Sequence, residues 1–325
     1  MAETFSDIAH RVTTHWDAVF ASPNPLLEPI TEWYGMQYPR ALDGRPRRAQ
    51  NQGLVMPDTD FEECLANAKA YAGPHLKQFA AALDHTAARQ LRDALSPGHE
   101  VLVVDVGCAA GILGLFTDRS GFAHYVGVDT NGWMRLLARA VFESTLNDIT
   151  LQESQAMSPD YGTYGPFVSR HQYTVGFDRL GRKNVGSITD DRPTFVIHEG
   201  IDNHVGWLRY VENVAGALDL TRPGGRPITV LVVMNHLLFQ MHDVPQTVIS
   251  VLDKCRQAAA LRGVQAYLVS IEPGTLYKPD RLGTQGFDSL IAKLPASVTR
   301  LSVAGVGAYL TGNSRGDAAV RILRF

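Results

Sequence analysis

Residues 101 to 131 read VLVVDVGCAAGILGLFTDRSGFAHYVGVDTN, and they constrain this chain more than any other stretch. A run of β-branched residues ends at Asp105 and breaks into a loop of small residues. A short amphipathic segment follows, then a second β-branched run ends at Asp129. The hydrophobic period predicts strand, loop, helix and strand, the local order of a nucleotide site built at the end of a parallel sheet. A dinucleotide and the adenosine of a smaller cofactor both suit that order, and they imply different chemistry.

The rest of the chain places this unit in a larger α/β domain. From residue 101 onward strand-like and helix-like segments alternate, which predicts a parallel sheet with crossover helices. Strands are expected at 101–106, 124–129, 194–199, 228–234 and 264–271, and helices at 132–146 and 245–262. The end reads VTRLSVAGVGAYLTG, then NSRGD, then AAVRILRF, two strands about a turn that predict an antiparallel hairpin. Residues 150–193 read as an insertion, with HQYTVGFDRLGRKNVGSI inside it as a small hairpin of its own. Residues 1–96 are expected to form a mainly helical N-terminal cap, its helix over FEECLANAKAYAGPHLKQFAAALDHTAARQLRDAL interrupted near Pro74.

Composition excludes some classes. Of 325 residues, 45% are hydrophobic and the formal net charge is −3, so no basic field exists to hold a phosphate backbone. A nucleic-acid partner is not expected. Three cysteines without C-x-x-C spacing suit a reducing compartment, and neither a signal peptide nor an 18-residue apolar run is visible. A cytoplasmic protein without a membrane partner is therefore the expectation.

The loop itself separates the two nucleotides. A dinucleotide fingerprint uses its second glycine to let backbone approach a pyrophosphate. Here the loop is Gly107, Cys108, Ala109, Ala110, Gly111, so Ala109 stands in that place. The Tyr-x-x-x-Lys pair of short-chain dehydrogenases is also missing, because none of the 11 tyrosines has lysine at that offset. The segment resembles instead the first motif of the class I S-adenosylmethionine-dependent methyltransferases, small-molecule type. In that family an acidic residue is followed by x-Gly-x-Gly-x-Gly, matched here by Asp105, Gly107, Ala109 and Gly111 with a departure at the middle position.

The resemblance implies a Rossmann-like, mostly parallel seven-stranded sheet ending in an antiparallel hairpin, over roughly residues 97–325. It implies S-adenosyl-L-methionine as cofactor, held by Asp105, Gly107, Cys108, Ala109 and Gly111 of the loop, and by Asp129 on the ribose diol. Thr130, Asn131 and Trp133 would flank ribose and adenine. TFVIHEGID would be the third strand, bringing Glu199, Gly200 and Asp202 toward the adenine. ITVLVVMNHLLFQMHDVPQ would be the fourth, ending in Asn235 and His236. A competing register makes 194–202 the fourth strand, because LTRPGGRPITVLVV resembles the turn the family often places before its fifth.

Methyl transfer from a sulfonium is an in-line displacement, so the enzyme aligns the partners and excludes water, and a base helps where the acceptor loses a proton. His242 with Asp243 resembles the His-Asp pair of small-molecule O-methyltransferases, with Val244 where tryptophan is usual. Asp243 as a cap for a helix near Pro245 is the structural alternative. His236 is a second catalytic candidate. A metal held by His242, Asp243 and His198 or His204 lacks ligand spacing, and none is expected. The acceptor, a small molecule in a biosynthetic pathway, would be held by the N-terminal region and the insertion. Trp16, Trp33, Tyr34 and Tyr38 offer aromatic surface there, and Arg40, Arg45, Arg48 and Arg170 offer charge. Two other functions stay open: cofactor binding without methylation, and nicotinamide-dependent oxidoreduction. A homodimer is also left open.

Overall fold

Strand β1 (Glu100–Val106) is buried along its whole length, which explains why it reads as continuous β-branched sequence without alternation. In the computed structural model it lies in the middle of the sheet, paired in parallel with β2 (His124–Val128) on one side and β7 (Ile228–Asn235) on the other. The structure describes residues 3–20, 61–96, 99–122, 124–129, 228–237, 265–273, 299–306 and 318–325. It also describes short pieces at 150–151, 153–154, 174–175 and 194–198, and isolated positions at 134, 137, 138, 141 and 292.

Among the described residues the main sheet has eight strands in the order β3-β6-β2-β1-β7-β8-β10-β9. Here β3 is Thr150–Leu151, β6 Thr194–His198, β8 Gln265–Pro273, β9 Thr299–Val306 and β10 Ala318–Arg324. Six neighbouring strands from β3 to β8 run parallel, and β10 enters antiparallel between β8 and β9. The eighth strand corrects the expected seven. It is β3, two residues long, and two residues carry no readable period; only the edge of β6 gives them a partner. In the insertion, β4 (Glu153–Ser154) pairs antiparallel with β5 (Thr174–Val175), and the rest of the expected small hairpin lies outside the described residues.

The register conflict is decided by pairing. Thr194–His198 lies outside β2, while 228–235 lies beside β1, so the former occupies the third place and the latter the fourth. The strand order reverses direction between β1 and β7. That switch point opens a crevice at the carboxyl ends of both strands.

The N-terminal helices pack on this sheet. Helix α1 (Phe5–Val19) starts with a capping box in which Thr4 and Asp7 bond reciprocally. Its first turn is also bound by Asp84, which accepts from Phe5 N at 3.1 Å and Ser6 N at 2.8 Å. Helix α2 (Phe61–Asp84) runs through Pro74, correcting the expected interruption. Proline removes one backbone donor, but packing on both sides outweighs it. Cys64 and Ala68 before it, and Leu76, Phe79 and Ala80 after it, are all buried. A 3-10 turn (Thr86–Ala88) leads into helix α3 (Arg89–Ala94), and helix α4 (Ile112–Arg119) follows the loop after β1. One core joins Val12 and Trp16 of α1, Phe79 of α2, Val101 and Val103 of β1 and Phe116 of α4. Within 132–146, Met134, Leu137, Ala138 and Val141 are helical and fully buried, the i, i+3, i+4, i+7 stripe of an amphipathic helix. The helix expected at 245–262 lies outside the described residues, as does the turn at 313–317.

Candidate cofactor site

The loop after β1 turns by left-handed backbone. Gly107 has φ +78°, Ala109 +47° and Gly111 +83°, and Gly111 is the N-cap of α4. Glycine adopts these angles freely, whereas a residue with a Cβ loses about 1–2 kcal/mol. Ala109, the departure from the glycine pattern, therefore carries a backbone cost. Its N–H is held by the Asp129 carboxylate, with Oδ2 accepting at 2.8 Å, which ties the loop to the end of β2. A second bond, Gly111 N to Cys108 O at 2.9 Å, closes the loop on itself.

Beneath the loop lies a buried polar group. Asp105 is only 4% exposed and accepts a hydrogen bond from the Tyr125 hydroxyl at 2.9 Å. The parallel register sets Asp105 opposite Gly127, two residues beyond Tyr125 on the same face. Gly127 makes this possible, because a Cβ there would stand 2.9 Å from both Tyr125 Oη and Cys108 Sγ. Burial pushes the Asp105 carboxyl up to about 7, opposed by the Tyr125 hydrogen bond and reinforced by the charge of Asp129. Burial and the neighbouring Asp105 hold the Tyr125 hydroxyl well above its ordinary value. Asp105 thus lies buried below the loop, engaged by Tyr125.

Across the crevice, β7 ends in Asn235, His236 and Leu237. His236 is left-handed as well, with φ +55°, and its N–H donates to Ile271 O at 2.7 Å. Its ring stacks on His75 of α2, centroids 3.9 Å apart and planes 8° apart, and its Nε2 lies 2.7 Å from Gln78 Oε1. With that oxygen as acceptor, Nε2 carries the proton. Burial, then the adjacent His75, holds His236 well below the ordinary histidine value, and burial lowers His75 to about 4. Both rings are neutral near pH 7. Asn235 Nδ2 donates to His75 O at 3.1 Å, while its buried Oδ1 has no hydrogen-bond partner among the described residues. Leu237 then reaches back over the loop, its Cδ1 3.0 Å from the place of a Cβ on Gly107.

The fold therefore gathers Asp105, Gly107, Cys108, Ala109, Gly111, Asp129, Asn235 and His236 at one end of the sheet. Thr130, Asn131, Trp133, Glu199, Gly200, Asp202, His242 and Asp243 lie outside the described residues, as do Trp33, Tyr34, Tyr38, Arg40, Arg45, Arg48 and Arg170. Trp16 leaves the set of acceptor-binding aromatics. It is fully buried, donates from Nε1 to Ala68 O at 3.1 Å and stacks on Phe20 at 4.5 Å. Its surroundings are the α1–α2 interface, which a helical period alone did not separate from a pocket wall. Sequence reasoning missed Tyr125, Gly127, His75 and Gln78. A glycine inside a strand signals close approach and could have pointed to Gly127. Nothing local marks the other three. Among the described residues no group of three or more His, Cys, Asp or Glu could hold a metal.

No family model matches the chain, and no curated protein matches it. Solved structures do. An S-adenosylmethionine-dependent methyltransferase from Leishmania major matches at 12% identity and TM-score 0.37, over 96% of this chain and 90% of that one. A Thermobifida fusca protein described as a candidate methyltransferase matches at 12% and 0.37, over 86% and 98%. A protein studied for the conversion of a disulfide bond into a thioacetal group in echinomycin biosynthesis matches at 12% and 0.33, over 73% and 80%. At these identities and scores the likenesses define neither a fold nor an activity for this chain; its own strand registers define the fold.

Proposed function

We propose that the protein is an S-adenosylmethionine-dependent methyltransferase acting on a small-molecule acceptor. The observation that carries this reading is the switch point, where β1 and β2 deliver a left-handed small-residue loop and Asp129 to one crevice. The donor set suits a cationic adenosyl cofactor better than a dinucleotide. A pyrophosphate needs the loop's N–H groups free to donate to it. Here the Ala109 N–H is already taken by Asp129, and Ala109 stands where the dinucleotide pattern has its second glycine. Asn235 Oδ1 adds a buried acceptor beside the loop.

When bound, S-adenosylmethionine supplies a methyl group on a sulfonium for in-line displacement. The chain's residues would position it and exclude water. Asp129 would accept from the ribose hydroxyls, and the Gly107–Gly111 loop would clear the amino-acid end. Leu237 would close the crevice side. His242, next to Asp243, is proposed as the base where the acceptor carries a removable proton. His236 is less suited to that role, since burial disfavours its protonated form and Gln78 engages its Nε2. Residues 21–60 and the insertion at 150–193 are proposed to hold the acceptor. A cytoplasmic, biosynthetic role belongs to the same proposal. No helix among the described residues is long and apolar enough to cross a membrane.

Calorimetry with S-adenosylmethionine and NAD tests the reading. Saturable binding of the first is expected, with production of S-adenosylhomocysteine once an acceptor is supplied. Asp129→Ala should weaken the cofactor roughly 10- to 100-fold, the loss of a charge-assisted acceptor. Tighter binding of NAD, or unchanged affinity in a folded Asp129→Ala protein, would overturn the assignment. Binding without turnover across acceptor classes would favour a cofactor-binding module.

A further inference from the structure

We propose that His75 and Gln78, from helix α2, are positioning residues of the cofactor crevice. They clamp the left-handed turn that seats Leu237 on the glycine loop. The inference rests on the reading of that loop as the cofactor site.

The argument starts from the backbone. A histidine at φ +55° sits where an L-residue is disfavoured, so the surrounding structure must hold it there. Three contacts do so. The N–H bond to Ile271 O comes from β8 within the sheet. The other two come from α2: the parallel stack on His75 and the 2.7 Å bond to Gln78, itself 1% exposed. A fourth contact, Asn235 Nδ2 to His75 O, ties the preceding residue to the same helix turn. His75 and Gln78 are one turn apart, so a single helix face carries the clamp.

What the clamp governs is the contact beyond it. The register sets Met234 opposite Val106, so the residues that follow both strands face each other across the crevice. Leu237 there fills the space that the missing Cβ of Gly107 leaves. If the turn relaxes to right-handed backbone, the chain leaves β7 in another direction and Leu237 lifts off the loop. Helix α2, some 160 residues upstream of the turn it holds, thereby sets the shape of the crevice without contributing a reacting group.

The test is a cycle of variants read by calorimetry with S-adenosylmethionine at 25 °C, where each protein's circular dichroism reports that it is folded. Gln78→Leu should weaken the cofactor about tenfold, a coupling of the size networked residues show. In a His236→Gly background, where glycine takes the left-handed angle unaided, the same change should matter less than twofold. His75→Phe should keep wild-type affinity because a flat ring still stacks, whereas His75→Ala should lose affinity like Gln78→Leu. Equal losses in both backgrounds, or no loss in Gln78→Leu and His75→Ala, would overturn the clamp. If His236→Gly does not fold, the His75 pair decides: equal affinity of the Phe and Ala variants overturns it. Wild-type protein that fails to bind S-adenosylmethionine sinks the cofactor reading itself, an outcome distinct from bound wild type with indifferent variants.

Discussion

The two walls of the crevice solve the same backbone problem in opposite ways. The loop at 107–111 reverses through left-handed angles mostly with glycine, whose cost is small and whose solution is local. The turn at 235–237 reaches a left-handed angle with histidine, and needs a helix from the far N-terminal end to hold it. Ala109 stands between these cases, a non-glycine in the loop held by one bond from Asp129. A local solution is robust and readable in sequence. A tertiary one couples the site to the rest of the fold.

The largest effect should come from filling the glycine wall. Gly107→Val adds a β-branched side chain at φ +78° and drives it into Leu237, so cofactor affinity should fall more than about 100-fold, with two costs of a few kcal/mol combined. Wild-type affinity in a folded Gly107→Val protein would remove the loop from the site.

Next is the buried carboxyl under that wall. The Asp105 carboxyl is raised to about 7, above its unfolded value near 4. The folded state therefore binds the extra proton between those values. Its stabilisation is present in full below pH about 4 and is lost as pH rises through 7. His75 has the opposite sign: lowered from 6.5 to about 4, it contributes above pH 6.5 and loses that contribution as pH falls through 4. Asp105→Asn keeps an acceptor for Tyr125 and removes only the first effect. Urea unfolding should find the variant's advantage over wild type larger at pH 8 than at pH 5, by up to about 2.6 kcal/mol. An advantage independent of pH would mean that Asp105 titrates as an ordinary carboxylate.

The smallest effect contrasts the two left-handed non-glycines. Ala109→Gly relieves about 1–2 kcal/mol of backbone cost against about 0.4–1 kcal/mol of added unfolded-state entropy, a net gain of roughly 0–1 kcal/mol. His236→Gly relieves the same backbone cost but loses the stack and the Gln78 bond, so it should destabilise. Thermal unfolding of the two variants side by side checks the signs. Destabilisation by both would place tertiary control in the loop as well.

The contrast also marks how far sequence reasoning reached. The runs ending at Asp105 and Asp129, the small-residue loop and the final two strands were legible, because period, glycine and β-branching are local signals. Strand β3 was not, since two residues form a strand only when an edge is offered. Pro74 was read by its local cost, and packing on both sides of it prevailed. Trp16 showed that a helical aromatic has no sign telling core from pocket.

By itself the sequence determined the α/β class, the strands at 101–106, 124–129 and 228–234 and the loop with its carboxylate, all consequences of chemistry within a few residues. Tertiary structure decided that 194–198 takes the third place and 228–235 the fourth, because strand order follows from which edges pair. It also decided that Asp105 faces a tyrosine in the core and that His236 is turned left-handed under His75 and Gln78. Those contacts join residues 20 and about 160 positions apart. Their energy depends on shape and desolvation between distant segments, which no window of sequence contains.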